Sequence, residues 1–332
     1  MATGITNYGD ISPRTAAFVV KELLSVAYPL EVFGKLMKGQ TLPANNTISL
    51  KYRRYSKLPL ATTALTEGVT PLSQKLSATD VSLTLAQFGS IVEITDVVAD
   101  THEDPVLKVA VERAGEQAIQ TLETNRFNTL KAGTNKFYQN GSARTDVNTA
   151  LTIGTQKKVV RALKRQDAMK MTKLIKSTPD FNTENILPSY IAVGHTDLEN
   201  DIRAMTGFTD AKDYGHAISP MEGEIGAVND VRYVLTNICT AYADGGGAKG
   251  TMVSTTGVSA DVYPVIYLAK DSWDGVALRG KFSIQPTVIN PNTPSKSDPL
   301  GQRGFVAWKT MSGNVILNDA WMAVVECSCT DL

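Results

Sequence analysis

The chain has 332 residues, 42% of them hydrophobic and 20% charged, and its 33 Lys and Arg are balanced by 33 Asp and Glu. That length exceeds one ordinary core and implies two or three domains, while charge neutrality excludes a global field drawing the chain to nucleic acid or an anionic membrane. Three cysteines (Cys239, Cys327, Cys329) are too few for a disulfide framework and suit a reducing cytosol; with no run near the ~18 apolar residues that span a bilayer and no secretory leader, a soluble intracellular product is expected.

Residues 1–10 read as flexible. Ser12-Pro13 opens a short helix with Ala17, Val20, Leu24 and Ala27 on one face, stopped near Tyr28-Pro29. Glu31 to Met37 is a second short segment before Gly39, and nothing up to residue 46 has the makings of a domain. This stretch reads as an arm.

From Asn46 to Asp100 the pattern changes. Ile48, Leu50 and Tyr52 alternate with Ser49, Lys51 and Arg53, and Val81, Leu83 and Leu85 alternate with Ser82 and Thr84, the period of strands with one wet face. Between them, Tyr55 to Asp80 is rich in Thr, Ser, Pro and Leu and has no helical period. Loops that long are rare in compact domains and usually functional. The reading is a protruding hairpin whose tip residues Leu58, Leu60, Leu65, Val69 and Leu72 need a partner surface. An isolated hairpin is barely stable in water, so it is expected to rest on another subunit. The candidate contacts are Lys51, Arg53, Arg54 and Lys57 with Leu58, Leu60, Leu65 and Leu72.

Asp104 to Gly133 is the strongest helix signal. Asp104 suits the N-cap, Pro105 the first helical position and Gly133 the left-handed residue after the end. Leu107, Val111, Ala114, Ala118 and Leu122 form an apolar stripe widened by Ile119, Phe127 and Leu130, with Glu112, Arg113, Glu116, Gln120 and Glu123 on the remaining surface. The rod is roughly 40 Å long. Its Ala-rich stripe is shallow, so it should lie close across a sheet.

Lys136 to Asn148 reads as a polar loop. A second helix, Gln156 to Lys176 with Thr155 as its cap, carries Lys157, Lys158, Arg161, Lys164, Arg165, Lys170, Lys173 and Lys176 against one acid, Asp167. Such a face could grip phosphates. A solvated amphipathic face is the simpler reading in a neutral chain without interleaved aromatics. Tyr190 to Gly194, Val231 to Asn237 and Val262 to Ala269 read as strands, the last placed at an edge because it contains Pro264. A helix runs from His195-Thr196-Asp197 to Met205, Gly207 to Gly226 is loop, and Asp244 to Gly250 is a glycine-rich turn. Pro286, Pro291, Pro294 and Pro299 punctuate a linker, and Phe305 to Thr310 and Trp321 to Cys327 are the closing strands, with Val315-Ile316-Leu317 between them.

Motifs for chemistry are scarce. In the 244–251 stretch Lys249 precedes Gly250, so the phosphate-loop order is broken and a hairpin turn is the better reading. Cys327 and Cys329 lack finger-spaced partners, His102-Glu103-Asp104 lacks the second histidine of a zinc helix, and His195 with Asp197 has no nucleophile elbow. No catalytic, cofactor-binding or metal residue is nominated, and a non-enzyme is expected.

The order of arm, projecting hairpin, long helix, central α/β part and late return strands resembles the major capsid proteins of tailed double-stranded DNA bacteriophages, which share the Hong Kong 97-like fold. The resemblance extends to the wording of residues 191–203 (IAVGHTDLENDIR) and 222–233 (EGEIGAVNDVRY). Residues 298–309 (DPLGQRGFVAWK) and 315–321 (VILNDAW) are similar to the closing strands of a podophage-type subfamily. The resemblance implies an α+β coat fold: an arm at 1–46, an extended loop at 47–98, a peripheral domain at 99–149 with its spine helix at 105–131, an axial domain at 150–280, and return strands of the peripheral domain at 281–332. It implies self-assembly into pentamers and hexamers of an icosahedral shell enclosing double-stranded DNA, and residence in the virion after synthesis in the host bacterial cytoplasm. It also implies a separate scaffolding protein, a portal protein, an optional decoration protein, weak contact with packaged DNA, no membrane and no cofactor. The alternatives are a compartment shell of the same fold enclosing cargo enzymes, and a soluble α/β enzyme or nucleic-acid-binding protein.

Overall fold

In the computed structural model, residues 31–43, 47–65, 67–97, 106–175, 183–214, 221–278, 284–291, 293–294 and 298–332 are described. The helix expected from Ser12 and the caps Asp104 and Pro105 lie outside them. In chain order the elements are helix α1 (Phe33–Leu36), strands β1 (Gln40–Leu42), β2 (Ser49–Tyr55), β3 (Ala78–Thr84) and β4 (Ala86–Thr95), helix α2 (Val106–Lys131), strand β5 (Lys136–Tyr138) and helix α3 (Ile153–Arg165). Strands β6 (Met171–Ile175) and β7 (Thr183–Gly194), helix α4 (Glu199–Arg203) and strands β8 (Phe208–Asp210), β9 (Glu224–Val228), β10 (Val231–Leu235), β11 (Tyr263–Leu268) and β12 (Trp273–Leu278) follow. Strands β13 (Gln285–Ile289), β14 (Arg303–Ile316) and β15 (Met322–Cys327) close the chain.

Eight strands form one sheet in the order β5-β15-β11-β7-β10-β9-β8, with β6 beside β7. Its central strands β10, β11 and β15 are buried at nearly every position, as continuous apolar runs covered on both faces should be. Side chains alternate between two cores. Tyr190, Ala192, Val231 and Tyr233 join Val159, Val160 and Leu163 of α3, while Ile191, Val193 and Val234 join Phe33, Leu36, Phe127 and Leu130.

A five-stranded sheet is built on β14, whose 14 residues pair with β4 along one edge and with β13 and then β12 along the other; β1 continues from β12. Helix α2 crosses this sheet through Leu107, Val111, Ala114 and Ala118, packed on Ile94, Val306 and Trp308. The small stripe allows the close approach expected of it, and Trp308 Nε1 donates to Gln117 Oε1 at 3.1 Å. Farther along, Phe127 and Leu130 enter the second core of the larger sheet, so one rod ties both sheets together.

Several sequence expectations are corrected. The basic helix ends at Arg165, not Lys176: Asp167 takes φ 52°, the Ala168 N–H donates to the Leu163 carbonyl at 3.1 Å, and residues 171–175 form β6. An Asp in the left-handed conformation closes the helix where no glycine advertises it. Strand β11 is central rather than an edge. Pro264 is tolerated because pairing with β7 starts only at Ile266, leaving its missing N–H without a ladder partner on that side. Pro286 lies inside β13, itself an edge strand, rather than in a linker. The pieces 305–310 and 315–316 are one strand, because β4 carries the ladder from Arg303 through Ser312 and β12 carries it on from Ser312 through Ile316. The loop expected at 136–148 contains β5, which pairs in parallel with β15.

Two segments converge on the glycine-rich turn. Gly246 donates to the Ala260 carbonyl at 2.9 Å and Gly247 to the Val147 carbonyl at 3.0 Å. A Cβ on Gly246 would stand 2.1 Å from the Val147 oxygen. Gly246→Ala is therefore expected to lower stability by roughly 1–3 kcal/mol, read as a lower midpoint in urea; an unchanged midpoint would show that the backbone can yield there.

Candidate assembly surface

The hairpin begins from a well-anchored root. Leu50, Tyr52 and Leu83 pack with Leu42, Leu85 and Val276, and β2 pairs with β3 in register from Ser49–Thr84 to Tyr55–Ala78. Asp274, wholly buried on β12, accepts the Tyr52 hydroxyl and the Gly39 N–H, each at 2.7 Å, so the hairpin and the arm meet on one carboxylate. The two-stranded part stops at Thr84; residues 86–95, read as part of the hairpin, belong to the sheet of β14.

Past Tyr55 the chain leaves its own protomer's core. Leu58, Leu60, Leu65, Val69 and Leu72 are exposed, from 52% for Leu58 to 97% for Leu72. Tyr55 and Leu76, not named from the sequence, share this exposure; their position beside the apolar run was the available signal. The nominated cations separate into different settings. Arg53 clasps Asp80 across the hairpin at 2.7 and 2.8 Å and holds that carboxyl below the usual carboxylate range. Lys57 reaches Asp167, beyond the end of α3, at 2.7 Å. Lys51 and Arg54 are exposed on opposite faces of β2. The geometry brings the leucines together on the outrigger but spreads the cations along its stem.

Near the arm, the structure shows a contact that the sequence reading missed. Glu123, assigned to the polar face of α2, has no exposed side-chain surface. Its carboxylate accepts the N–H groups of Phe33 at 2.9 Å, Gly34 at 3.2 Å and Val32 at 3.3 Å, and it pairs with Arg126. Arg126 also meets Glu31 at 2.8 Å. Phe33 and Phe127 rings lie 6.2 Å apart beside this clip. No sequence signal exposed it, because the partners are about ninety residues apart.

Burial pushes the Glu31 carboxyl above its ordinary value, against the pull of Arg126. A raised carboxyl contributes stability that is full below its unfolded value and lost as pH climbs through the folded one. Glu31→Gln is therefore expected to shift stability at pH 7 by no more than about 1 kcal/mol, with the wild type gaining on the variant as pH is lowered toward the carboxylate range. A large loss at pH 7 would show that ionised Glu31 is a net stabiliser.

Reactive groups are quiet. All three cysteines are free and buried, and burial raises each thiol, that of Cys329 to about 12. His195 Nδ1 accepts the Asp197 N–H at 3.2 Å, and the Tyr263 hydroxyl donates to Asp197 at 2.7 Å. Among the described residues no group of His, Cys, Asp and Glu is placed to hold a metal ion, and no helix is long and apolar enough to cross a membrane.

Comparison with known proteins places this architecture. The fold is similar to the capsid of Ralstonia phage GP4, with a TM-score of 0.68 and 11% identity over 92% of each chain. It is similar to the head structure of Helicobacter pylori bacteriophage KHP40, with a TM-score of 0.62 and 11% identity over 91% of this chain and 90% of that one. The cyanophage Pam1 capsid gives a TM-score of 0.62 and 12% identity over 100% of this chain and 97% of that one. At such identities the likeness establishes the fold, the Hong Kong 97-like coat architecture. No curated protein matches the sequence. The family described as phage capsid protein matches residues 78–297, more than half of the chain. The chain belongs to that family and is a structural major capsid protein, whose copies build the icosahedral shell of a phage virion.

Proposed function

We propose that the copies close into pentamers and hexamers around double-stranded DNA, each outrigger lying over its neighbour. The carrying observation is the tip itself: five large apolar side chains stand in solvent on a segment rooted in a buried hydrogen-bonded base. Burying each on a neighbour would contribute roughly 1.5–3 kcal/mol, and a head-to-tail arrangement closes such contacts into rings. In this reading residues 1–46 are the arm and 47–84 the extended loop; the five-stranded sheet with α2 (86–131 and 273–316) is the peripheral domain, and the eight-stranded sheet (136–268 with 322–327) the axial domain meeting its copies around the symmetry axes, so β5, β12 and β15 cross the boundaries at 149 and 280 expected from the sequence. Lys51, Arg53, Arg54 and Lys57 line the stem of the contact, and Leu58, Leu60, Leu65 and Leu72 fill it.

The role is structural rather than catalytic, a reading that rests on membership of the phage capsid family. The subunit is made in the host bacterial cytoplasm and meets a separate scaffolding protein and a portal protein during assembly, with a decoration protein as an optional further partner. Electron microscopy of the purified full chain, alone and with the products of neighbouring genes, tests the reading. Uniform closed shells with five- and six-fold clusters are expected. Monomers under every assembly condition would overturn it, and small cages filled with a cargo enzyme would favour a compartment shell.

A further inference from the structure

Helix α3 carries five cations and no acid in thirteen residues of a chain whose net charge is zero. With 3.6 residues per turn, Lys157, Lys158, Arg161, Lys164 and Arg165 fall within an arc of ~120°, opposite the buried Val159 and Leu163. Lys157, Arg161 and Arg165 follow one another at successive turns, about 6 Å apart. Like charges at that spacing destabilise a helix, so the face works against the element that carries it.

Its surroundings relieve little of this. Lys164 pairs with Asp230, as does Lys170 at 2.8 Å, and Asp167 just past the helix end is held by Lys57 at 2.7 Å, so both carboxylates beside the face are already engaged. Lys157, Lys158, Arg161 and Arg165 make no ion pair among the described residues. The helix and the turn at Asn229 and Asp230 enclose an open cleft of about 540 Å³, with Lys157, Arg161, Lys164 and Arg165 around it and the little-exposed Val160 as its apolar residue.

We infer that this face of α3 is the part of the coat subunit that contacts the phosphate backbone of the enclosed duplex DNA; the inference rests on the shell reading above. The chemistry favours phosphates over an acidic protein. Protein partners anchor themselves with aromatic or aliphatic side chains in desolvated pockets, and this face offers no aromatic and only the edge of Val160. A phosphate backbone needs only cations at regular intervals, and each one neutralised releases counterions. Contacts of this kind carry no base information. Four unpaired cations per subunit give a weak, salt-labile grip that permits DNA to slide during filling and release.

The test uses the full chain, unassembled, with a fluorescent 20-bp duplex, titrated between 50 and 200 mM salt. With four phosphate contacts the affinity is expected to fall on the order of 100-fold across that range. In Lys157→Glu/Arg161→Glu/Arg165→Glu the slope of log affinity against log salt should shrink by about 2.7; the gentler Gln triple variant should follow it, and both should melt as the wild type does. Shells built from either variant should keep wild-type size by electron microscopy while filling with less DNA. An unchanged slope in both variants, or binding of polyglutamate but not duplex by the wild type, would overturn the inference. Variants that bind duplex normally yet form no shells would instead assign the face to a subunit contact. Failure of the wild type to form shells would strike the coat reading alone, because the duplex titration does not depend on assembly.

Discussion

Removing Leu58 to Ser77 is expected to leave a folded subunit that no longer closes into stable shells. The strands allow this cut. Tyr55 pairs with Ala78, so the deletion leaves Ser56-Lys57 as a two-residue connection, the commonest length for a hairpin. The root stays intact, because Leu50, Tyr52 and Leu83 pack below the cut and Tyr52 still donates to Asp274. Every described residue removed lies outside the four buried clusters. What disappears is a set of apolar side chains that the subunit itself never covers, worth together on the order of 10 kcal/mol if a neighbour buries them. Native melting with collapsed shell yield is the expected pair of results. Wild-type shell yield and stability would show that the outrigger makes no essential contact, and melting well below the wild type would show that it rests on its own body.

Glu123→Ala should be the most damaging single substitution on the spine helix, costing about 3–5 kcal/mol. The carboxylate is fully buried and accepts three backbone N–H groups at the start of α1 while pairing with Arg126. Truncation leaves those donors without acceptors in a dry site and Arg126 with Glu31 as its remaining carboxylate. Glu123→Gln should cost less, since an amide oxygen can still accept from the arm. Thermal unfolding measures the loss, and limited proteolysis after Lys35 or Lys38 should report release of the arm before the sheets unfold. Equal stability of Glu123→Ala and wild type would mean that the arm does not need this anchor.

Much of the fold was legible because it depends on short-range repetition. The α2 stripe at spacings of three and four named Leu107, Val111, Ala114 and Ala118, and those residues do face the sheet of β14. The alternation at Ile48 to Arg53 and Val81 to Leu85 named the hairpin, and the leucines between them stand in solvent. Where one residue's conformation overrode the pattern, the reading failed. The cation-rich period ran past Asp167, whose left-handed backbone ends the helix.

The chain's own periodicity settled the long helix and the two hairpin strands, that a greasy loop has no seat in its own protomer, and that no nucleophile motif is spelled out. Those properties arise from neighbours a few residues apart. Tertiary structure alone decided that Glu123 is a buried clip rather than a surface acid, that Asp274 joins the arm to the hairpin root, and that Pro264 sits in a central strand. The physical reason is the same for all three. A polar group's free energy depends on which donors and acceptors surround it, and here those partners arrive from as many as 235 positions away in the sequence.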